Sequence, residues 1–227
     1  MMSTKRWVLI GAASAVVLVA LVVGALVMST GAGRGGAGSS AAPTTVVVVF
    51  AMAGEDGVQA AQLVAAVDVA TGTFELRETS ATVSIPGTSY SRLRDAYPFG
   101  GAQAVAAALG GGSIAAGTGW VDVSQEAWQR LLASGVDVTI PEAFQTFDDV
   151  AERYSDFEVG VQHVAVEDLR GLVNGVAYLS PDSRQTILNA LAKASLRAMA
   201  SATPSQGVLT SLTAEQWTGF AKALAKN

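Results

Sequence analysis

The sequence predicts an α/β domain with a mixed central sheet and helices on both sides, preceded by one N-terminal transmembrane helix. An unbroken apolar run occupies residues 7–28. Strand-like segments dominate between residues 46 and 77, and helix-like segments dominate after residue 167. Because sheets and helices bury their apolar sides against each other, this order is typical of a layered α/β domain.

Residues 7–28 predict a membrane anchor. At about 1.5 Å rise per residue, an apolar helix of this length crosses a hydrocarbon core roughly 30 Å thick. Lys5 and Arg6 precede the run, whereas Arg34 alone follows it closely, so the positive-inside rule places the N-terminus in the cytoplasm. We therefore expect a single-pass protein of the cell membrane with an extracytoplasmic domain. The alternative is a cleaved secretory signal, whose apolar region normally has about 7–15 residues.

Three parts are expected along the chain. Residues 1–28 form the cytoplasmic start and the anchor, residues 29–45 form a flexible linker rich in Gly, Ser and Ala, and residues 46–227 form the domain. The chain has no cysteine, which excludes disulfides and thiol chemistry. Its 14 Lys and Arg against 19 Asp and Glu argue against a nucleic-acid partner, since phosphate contacts need clustered cations.

The strands are predicted from β-branched runs and alternation. Val46–Phe50 is typical of a buried central strand, and Leu63–Val69 of a second one. Ala70–Gly72 predicts a tight turn, after which Thr73–Arg77 returns as an antiparallel strand. Later strands are predicted at Trp120–Val123 and Val136–Ile140.

The helices are predicted from apolar spacing and end signals. Gly101–Leu109 contains small helix-forming residues and is followed by three glycines, which favour a helix end. Ser124 is a good N-cap for a short helix ending before Gly135. The segment Glu142–Phe157 is acidic and weakly patterned. Three further helices are predicted at Glu167–Leu179, at Asp182–Met199 and after the capping box Thr213–Gln216.

The sequence predicts no metal site, no cofactor and no hydrolytic triad. His163 is the only histidine, and its apolar context favours a structural role over a general base. The densest carboxylate group lacks the glycine-centred spacing of a calcium loop, which favours a solvated acidic loop. This group consists of Asp148, Asp149, Glu152 and Asp156.

Arg92 and Arg94 are candidate phosphate ligands. They flank Leu93, so on an extended segment both side chains point the same way and can grip one phosphate, whereas on a helix they diverge. A simple surface pair, with Asp95 balancing one of the two charges, is the alternative.

Four segments resemble, in the same order, motifs of the LytR-CpsA-Psr (LCP) family. The resemblance spans roughly residues 45–200. Val67–Gly72 is similar to the family's "VDPKTG" turn, Leu93–Gly101 (after Ile85–Gly87) to its "IN-A-AYA-YGG" segment, Ser134–Pro141 to its "GGVDV-VP" strand, and Arg184-Gln185 to its "ERQQ".

The resemblance implies an activity, a ligand and a set of site positions. Members of the family are membrane-anchored phosphotransferases that move cell-envelope polymers from polyprenyl-pyrophosphate carriers to peptidoglycan or a similar acceptor. A long apolar cleft holds the lipid, while arginines and a magnesium-binding aspartate hold the pyrophosphate. In this chain the family's charged positions fall on Thr79, Ser80, Pro181 and near Ala60. The resemblance therefore implies a relative that is degenerate at the catalytic positions.

Candidate site residues follow from these comparisons of residue type and position. An apolar cleft is expected between the alanine-rich helix at 101–109 and the helices at 169–196, because alanine surfaces leave room for an alkyl chain. The candidates for this cleft are Ala106, Ala107, Leu188 and Leu191, and those for phosphate binding are Arg77, Arg92, Arg94, Arg184 and Gln185.

Three functions remain open at this point. The first hypothesis is an LCP-like domain that acts in envelope assembly by binding a polyprenyl phosphate, an acyl lipid or a sister envelope enzyme, without catalysis. The second is an active phosphotransferase that uses the four candidate arginines, with Glu55 or Asp56 holding magnesium. This second hypothesis alone requires the arginines to converge at one cleft. The third is a secreted scaffold with no ligand.

Overall fold

A computed structural model describes residues 42–54, 57–204 and 207–226. The predicted anchor at 7–28, most of the predicted linker, and Glu55 and Asp56 lie outside these ranges. Among the described residues, no helix combines the length and apolar character needed to cross a membrane.

A five-stranded mixed sheet lies at the centre of the domain, as the sequence predicted. Its strands lie in the order β3 (Phe74–Arg77), β2 (Gln59–Asp68), β1 (Thr45–Ala53), β4 (Thr118–Val123) and β9 (Val208–Thr210). The middle strand β1 pairs antiparallel with β2 and parallel with β4. The edge strands β3 and β9 are both antiparallel to their neighbours. The short strand β9 was not predicted, because three residues carry too little pattern.

The turn between β2 and β3 is fixed by Asp68. The Thr71 amide donates a hydrogen bond to Asp68 Oδ1 at 2.8 Å, and the Thr71 hydroxyl donates to the same oxygen at 2.9 Å. Hydrogen bonding, first from the Thr71 amide and then from its hydroxyl, lowers the pKa of Asp68. Gly72 has φ of 80°, a backbone region that glycine enters without steric cost. The predicted tight turn is therefore confirmed.

Helices cover both faces of the sheet, because β1 is buried on both sides. Val46, Val48 and Phe50 point into the larger of two apolar cores, whereas Val47 and Val49 point into the smaller one. The smaller core is covered by α1 (Gly101–Leu109) and a 3-10 helix (Leu93–Phe99); the larger core is covered by α2 (Gln125–Leu131), α3 (Leu169–Gly175), α4 (Pro181–Ala200) and α5 (Ala214–Leu224).

The single helix predicted at Glu167–Leu179 is interrupted. The α-helical part, α3, is flanked by two 3-10 turns, Val166–Asp168 and Val176–Tyr178. The apolar spacing correctly predicts a helical segment here. A change from α-helical to 3-10 hydrogen bonding within such a segment, however, leaves no signal in that spacing.

Two β-ribbons complete the fold. β5 (Val136–Ile140) pairs with β8 (Gly160–Val164), and β6 (Phe144–Asp148) pairs with β7 (Arg153–Phe157). The β6-β7 hairpin falls in the segment whose pattern was weak. The reason is that three of its inward-facing positions are polar: Thr146, Asp148 and Ser155 are all buried.

Trp128 joins α2 to the sheet and to α4 inside the larger core. Its ring centroid lies 5.0 Å from that of Phe50, and the side chain is fully buried. Its Nε1 donates to Ser195 Oγ at 2.8 Å, while the Ser195 hydroxyl donates to the Leu191 carbonyl at 2.8 Å. One serine thus satisfies the indole inside an apolar core.

Ser195→Ala is expected to lower the free energy of unfolding by about 1–3 kcal/mol, because it leaves a buried indole N–H without a partner. Chemical unfolding followed by tryptophan fluorescence measures the change. Thr186→Ala is the matched control: its hydroxyl makes the same kind of bond to the carbonyl four residues earlier, but in an exposed position. Equal losses for the two variants would contradict this role of Ser195.

Candidate functional site

Two adjoining cavities lie beside β2 and form the candidate site. The first, which we call the arginine pocket, has a volume of about 290 Å³. The second, which we call the aromatic groove, has a volume of about 490 Å³. Because Gln62, Arg94, Val173 and Ala177 line both cavities, a single elongated ligand can occupy the two together.

Charged and apolar side chains are combined in the arginine pocket. Arg77 comes from β3, Arg92 and Arg94 from the start of the 3-10 helix, and Arg184 from α4. Glu78 is the one acidic side chain among the described residues that line it. The apolar part of the lining consists of Leu63, Val64, Leu76, Val173, Val176, Ala177 and Leu188. The pocket therefore offers a net positive charge beside an apolar surface.

The segment at 92–94 is neither fully extended nor fully helical. Arg92 is extended, with φ −97° and ψ 143°, and pairs with Thr82, while Leu93 begins the 3-10 helix. Leu93 is fully buried in the smaller core. Because Leu93 points inward, both flanking arginines line the same pocket, which is the arrangement expected for an extended segment.

The four arginines differ in how strongly the protein already holds them. Arg184 donates from Nε to the Val176 carbonyl at 3.2 Å and from Nη2 to the Ala177 carbonyl at 3.0 Å, so it ends the 3-10 turn after α3. Arg77 is paired with Glu75 at 2.9 Å, and Arg94 lies 3.6 Å from Asp95. Within the described part of the chain, the Arg92 side chain has no hydrogen bond or ion pair. Arg92 is therefore the arginine most available to an anion.

A buried carboxylate holds the 3-10 helix in place. Asp122, at the end of β4, is 8% exposed. Its Oδ1 accepts a hydrogen bond from the Tyr97 hydroxyl at 2.9 Å, and its Oδ2 accepts one from the Ala102 amide at 3.0 Å. Gly101 makes this approach possible, since it has φ of 62° and a Cβ there would collide with Asp122 Oδ2. Asp122 thus ties the 3-10 helix and the first turn of α1 to the sheet.

Aromatic and polar side chains line the groove. Tyr90 and Phe99 contact each other, with ring centroids 5.7 Å apart. Tyr178, from the 3-10 turn after α3, and Val58, just before β2, also belong to the apolar lining. Asp95 and Asn174 are among the polar residues of the same cavity. Sequence reasoning missed these aromatics, because single exposed aromatics in loops have no periodicity that marks them.

Comparisons with known proteins extend this description. No protein-family model and no curated protein sequence matches the chain. Solved structures do match. A LytR-Csp2A-Psr enzyme from Actinomyces oris is 14% identical with a TM-score of 0.56, over 82% of this chain and 76% of that chain. TagT bound to LI-WTA is 16% identical with a TM-score of 0.52, over 81% and 74%. TagV from B. subtilis is 18% identical with a TM-score of 0.50, over 80% and 79%.

The domain has the LCP fold. The positions that the resemblance aligned with the family's charged groups lie around the two cavities. Thr79, Ser80 and Pro181 line the arginine pocket, and Ala60 lines the aromatic groove. The two cavities therefore have neutral side chains at these four positions.

The predicted phosphate-binding residues lie together in this structure. Arg77, Arg92, Arg94, Arg184 and Gln185 all line the arginine pocket. They come from β3, the 92–94 segment and α4, so their meeting depends on the fold and not on their spacing in sequence.

The predicted apolar cleft between α1 and the later helices is not formed. Because α1 covers one face of the sheet and α4 the other, Ala106 is buried in the smaller core and Leu191 in the larger one. Neither of these residues nor Ala107 lines either cavity. Leu188 does line the arginine pocket. The prediction failed because an alanine-rich helix surface indicates close packing but not the face of the sheet on which it packs.

The acidic segment at 148–149 is not a solvated loop. Asp148 is 5% exposed and lies 3.2 Å from Arg170, which is itself buried, and Asp149 lies 2.7 Å from the same guanidinium. Arg170 also donates to the Gly54 carbonyl at 3.1 Å, so it fixes the end of β1 beside the groove. In the residues that the structure describes, no group of three or more side chains is placed to hold a metal ion.

His163 lies at the surface and not among apolar side chains. It is placed on β8, opposite Asp137 of β5, with 2.8 Å between His163 Nδ1 and Asp137 Oδ1. Both side chains are mostly exposed. The contact joins the two strands of the ribbon and lies away from both cavities, whose lining does not include it.

Tyr97→Phe is expected to remove a phenol that ionises unusually late. Burial first, and then the neighbouring Asp122 carboxylate, raise the pKa of Tyr97 above its ordinary value. The hydrogen-bonded phenol therefore stabilises the fold fully below pH about 10, where unfolded tyrosine stays neutral, and this contribution is lost as the pH rises further. Phenolate absorbance and unfolding measured against pH detect both effects.

The control for this titration is Tyr154→Phe, which changes an exposed tyrosine on the β6-β7 hairpin. It should leave the late-ionising phenol and the alkaline loss of stability unchanged. Identical titrations of the wild type and the Tyr97→Phe variant would show that the Asp122 contact does not hold the phenol neutral.

Proposed function

We propose that the domain binds a polyprenyl phosphate or another lipid phosphate during the assembly of cell-envelope polymers, without catalysing transfer. The observation that carries this proposal is a pocket that combines arginines with aliphatic side chains, while Thr79, Ser80 and Pro181 in the same lining add no charge. An anionic head with an apolar tail matches both parts of that lining.

The phosphate part of the proposal rests on charge and on geometry. The chain has a net charge of −5, yet the arginine pocket is lined by Arg77, Arg92, Arg94 and Arg184 with Glu78 as the acidic counterpart among the described residues. Guanidinium groups donate paired hydrogen bonds that fit phosphate oxygens. A bound phosphate also relieves the mutual repulsion of the arginines, which is strongest where water is partly excluded.

The lipid part rests on the adjoining cavities. Leu63, Val176 and Leu188 are among the aliphatic side chains beside the arginines, and the aromatic groove continues from there through four shared residues. Apolar surface of this kind favours an alkyl or prenyl chain, because its burial removes hydrocarbon from water. TagT, which shares the LCP fold with this domain, was solved bound to LI-WTA, and this supports a ligand from envelope polymer assembly.

The absence of catalysis is proposed from the neutral residues at the site. Phosphoryl transfer depends on positioned cations or metals that stabilise developing negative charge, and loss of one such group costs about 2.7–4 kcal/mol. Thr79, Ser80, Ala60 and Pro181 cannot supply that charge. The domain would then present or store a lipid intermediate for a sister envelope enzyme.

The location of this activity follows from the predicted anchor. We propose that residues 7–28 span the cell membrane once, with the N-terminus in the cytoplasm, so that the domain works outside the membrane beside its lipid ligand.

An active phosphotransferase is the second candidate, and one observation favours it. That hypothesis required Arg77, Arg92, Arg94 and Arg184 to meet in one cleft, and all four line the arginine pocket. Its proposed magnesium ligands, Glu55 and Asp56, lie outside the described residues. A ligand-free scaffold, by contrast, gives no reason for the arginines to converge.

Arg92→Ala is expected to weaken binding of farnesyl phosphate to the full chain in detergent by roughly 1.5–3 kcal/mol, the value of one charge-assisted hydrogen bond. Arg92 suits this test because removing it breaks no described contact. Titration calorimetry measures the affinity, and Lys193→Ala, at an exposed position of α4, is the control. No binding by the wild type, or equal binding by both variants, would contradict the proposal.

Turnover separates the two candidates. With a polymer carried on polyprenyl pyrophosphate, an acceptor and magnesium, the full chain is expected to form no polyprenyl phosphate and to transfer no polymer, because neutral residues stand at the four aligned positions. Formation of polyprenyl phosphate together with the polymer-bearing acceptor, measured by mass spectrometry and abolished by Arg94→Ala, would establish the phosphotransferase instead.

A further inference from the structure

Four large apolar side chains surround the aromatic groove and remain exposed. Val58, Tyr90, Phe99 and Tyr178 have exposed fractions of 49%, 57%, 50% and 75%. All four line the same cavity, so they form one patch, which we call the groove rim. A cluster of exposed apolar side chains at a cavity is typical of a site where a protein, a membrane or a ligand binds.

Basic side chains stand next to the groove rim. Arg94 lines both cavities, and its side chain is 47% exposed and lies 3.6 Å from Asp95. Arg77, paired with Glu75, and Arg92, which has no acidic partner among the described residues, line the adjoining pocket. Tyrosine side chains are enriched at the headgroup level of bilayers, where one end of the ring is apolar and the other wet. Cations close to an anionic membrane surface are attracted to it. The combination of tyrosines, phenylalanine and arginines thus matches an anionic bilayer.

We propose that the groove rim docks on the surface of an anionic bilayer. The aromatic side chains then enter the headgroup region, and a lipid passes from the bilayer into the groove without exposing its chain to water. This inference rests on the proposed lipid-phosphate binding and identifies the surface through which that ligand enters.

A second exposed aromatic pair provides a matched control. Phe147 and Tyr154, on the β6-β7 hairpin, have ring centroids 4.9 Å apart and exposed fractions of 47% and 64%. Two exposed acidic residues accompany this pair, namely Glu152 and Asp156. Since an anionic surface repels these carboxylates, the hairpin should stay in water although its aromatics are as exposed as those of the groove rim.

Single-cysteine variants test the proposal, because the chain has no cysteine of its own. The full chain, reconstituted through its predicted anchor into phosphatidylglycerol vesicles, is labelled with a polarity-sensitive fluorophore at Tyr178→Cys or Tyr90→Cys. The labels at Tyr154→Cys and Leu209→Cys are the controls. Doxyl-labelled lipid is expected to quench the two groove-rim labels and to leave both controls bright. In phosphatidylcholine vesicles the quenching at the groove rim should weaken.

Several results would overturn the proposal. Equal quenching at all four positions, or quenching at Tyr154→Cys alone, would show another orientation. Groove-rim labels that lipid does not quench would show that the rim faces water. Labels that become shielded only as protein density rises would show a contact between two copies of the chain. If these labels stay in water while the wild type still binds farnesyl phosphate, docking fails and the proposed function stands. If the wild type does not bind farnesyl phosphate, the proposed function itself fails, whatever the labels show.

Discussion

Burial of β1 on both of its faces is the constraint on which the rest of the domain depends. Six consecutive side chains from Val46 to Ala51 are at most 4% exposed, so neither face of the central strand can be left to water. Covering both faces places α1 and the 3-10 helix on one side and the later helices on the other. The candidate site forms where elements from the two sides meet beside β2, and its lining is drawn from both.

Two side chains, Asp122 and Arg184, fix the positions of the elements that line the candidate site. Asp122 joins the sheet to the 3-10 helix and to α1, so Arg94 and Phe99 are held against the cavities by a carboxylate that lies outside them. Arg184 binds the carbonyls that end the 3-10 turn after α3, and so couples α4 to that turn. Buried and half-buried hydrogen bonds of this kind fix both the distance between two elements and their relative orientation, whereas apolar packing alone fixes orientation less strictly.

The candidate site places charged side chains directly beside apolar ones. The arginine pocket holds guanidinium groups within an acidic protein, and the aromatic groove extends it with exposed tyrosine and phenylalanine. The LCP fold supplies the scaffold, since the Actinomyces oris enzyme and TagT share it at 14% and 16% identity. Thr79, Ser80, Ala60 and Pro181, which the sequence resemblance aligned with or near the family's charged positions, are neutral in this chain.

The sequence by itself determined the strands β1 and β2, the turn at Asp68–Gly72 and the helices with strong end signals. These features depend on local preference and on side-chain periodicity, which act over a few residues. It also placed Arg92 and Arg94 on either side of Leu93, whereas the burial of Leu93 in the smaller core came only from the tertiary structure.

Tertiary structure alone decided what depends on distant contacts. The β6-β7 hairpin was missed because Thr146, Asp148 and Ser155 are buried, and their partners, such as Arg170 for Asp148, come from another part of the chain. The face on which α1 packs was likewise open, since an alanine-rich helix fits either side of a sheet. The same holds for the meeting of Arg77, Arg92 and Arg184, which lie far apart in sequence, because only the order of strands in the sheet brings them to one pocket.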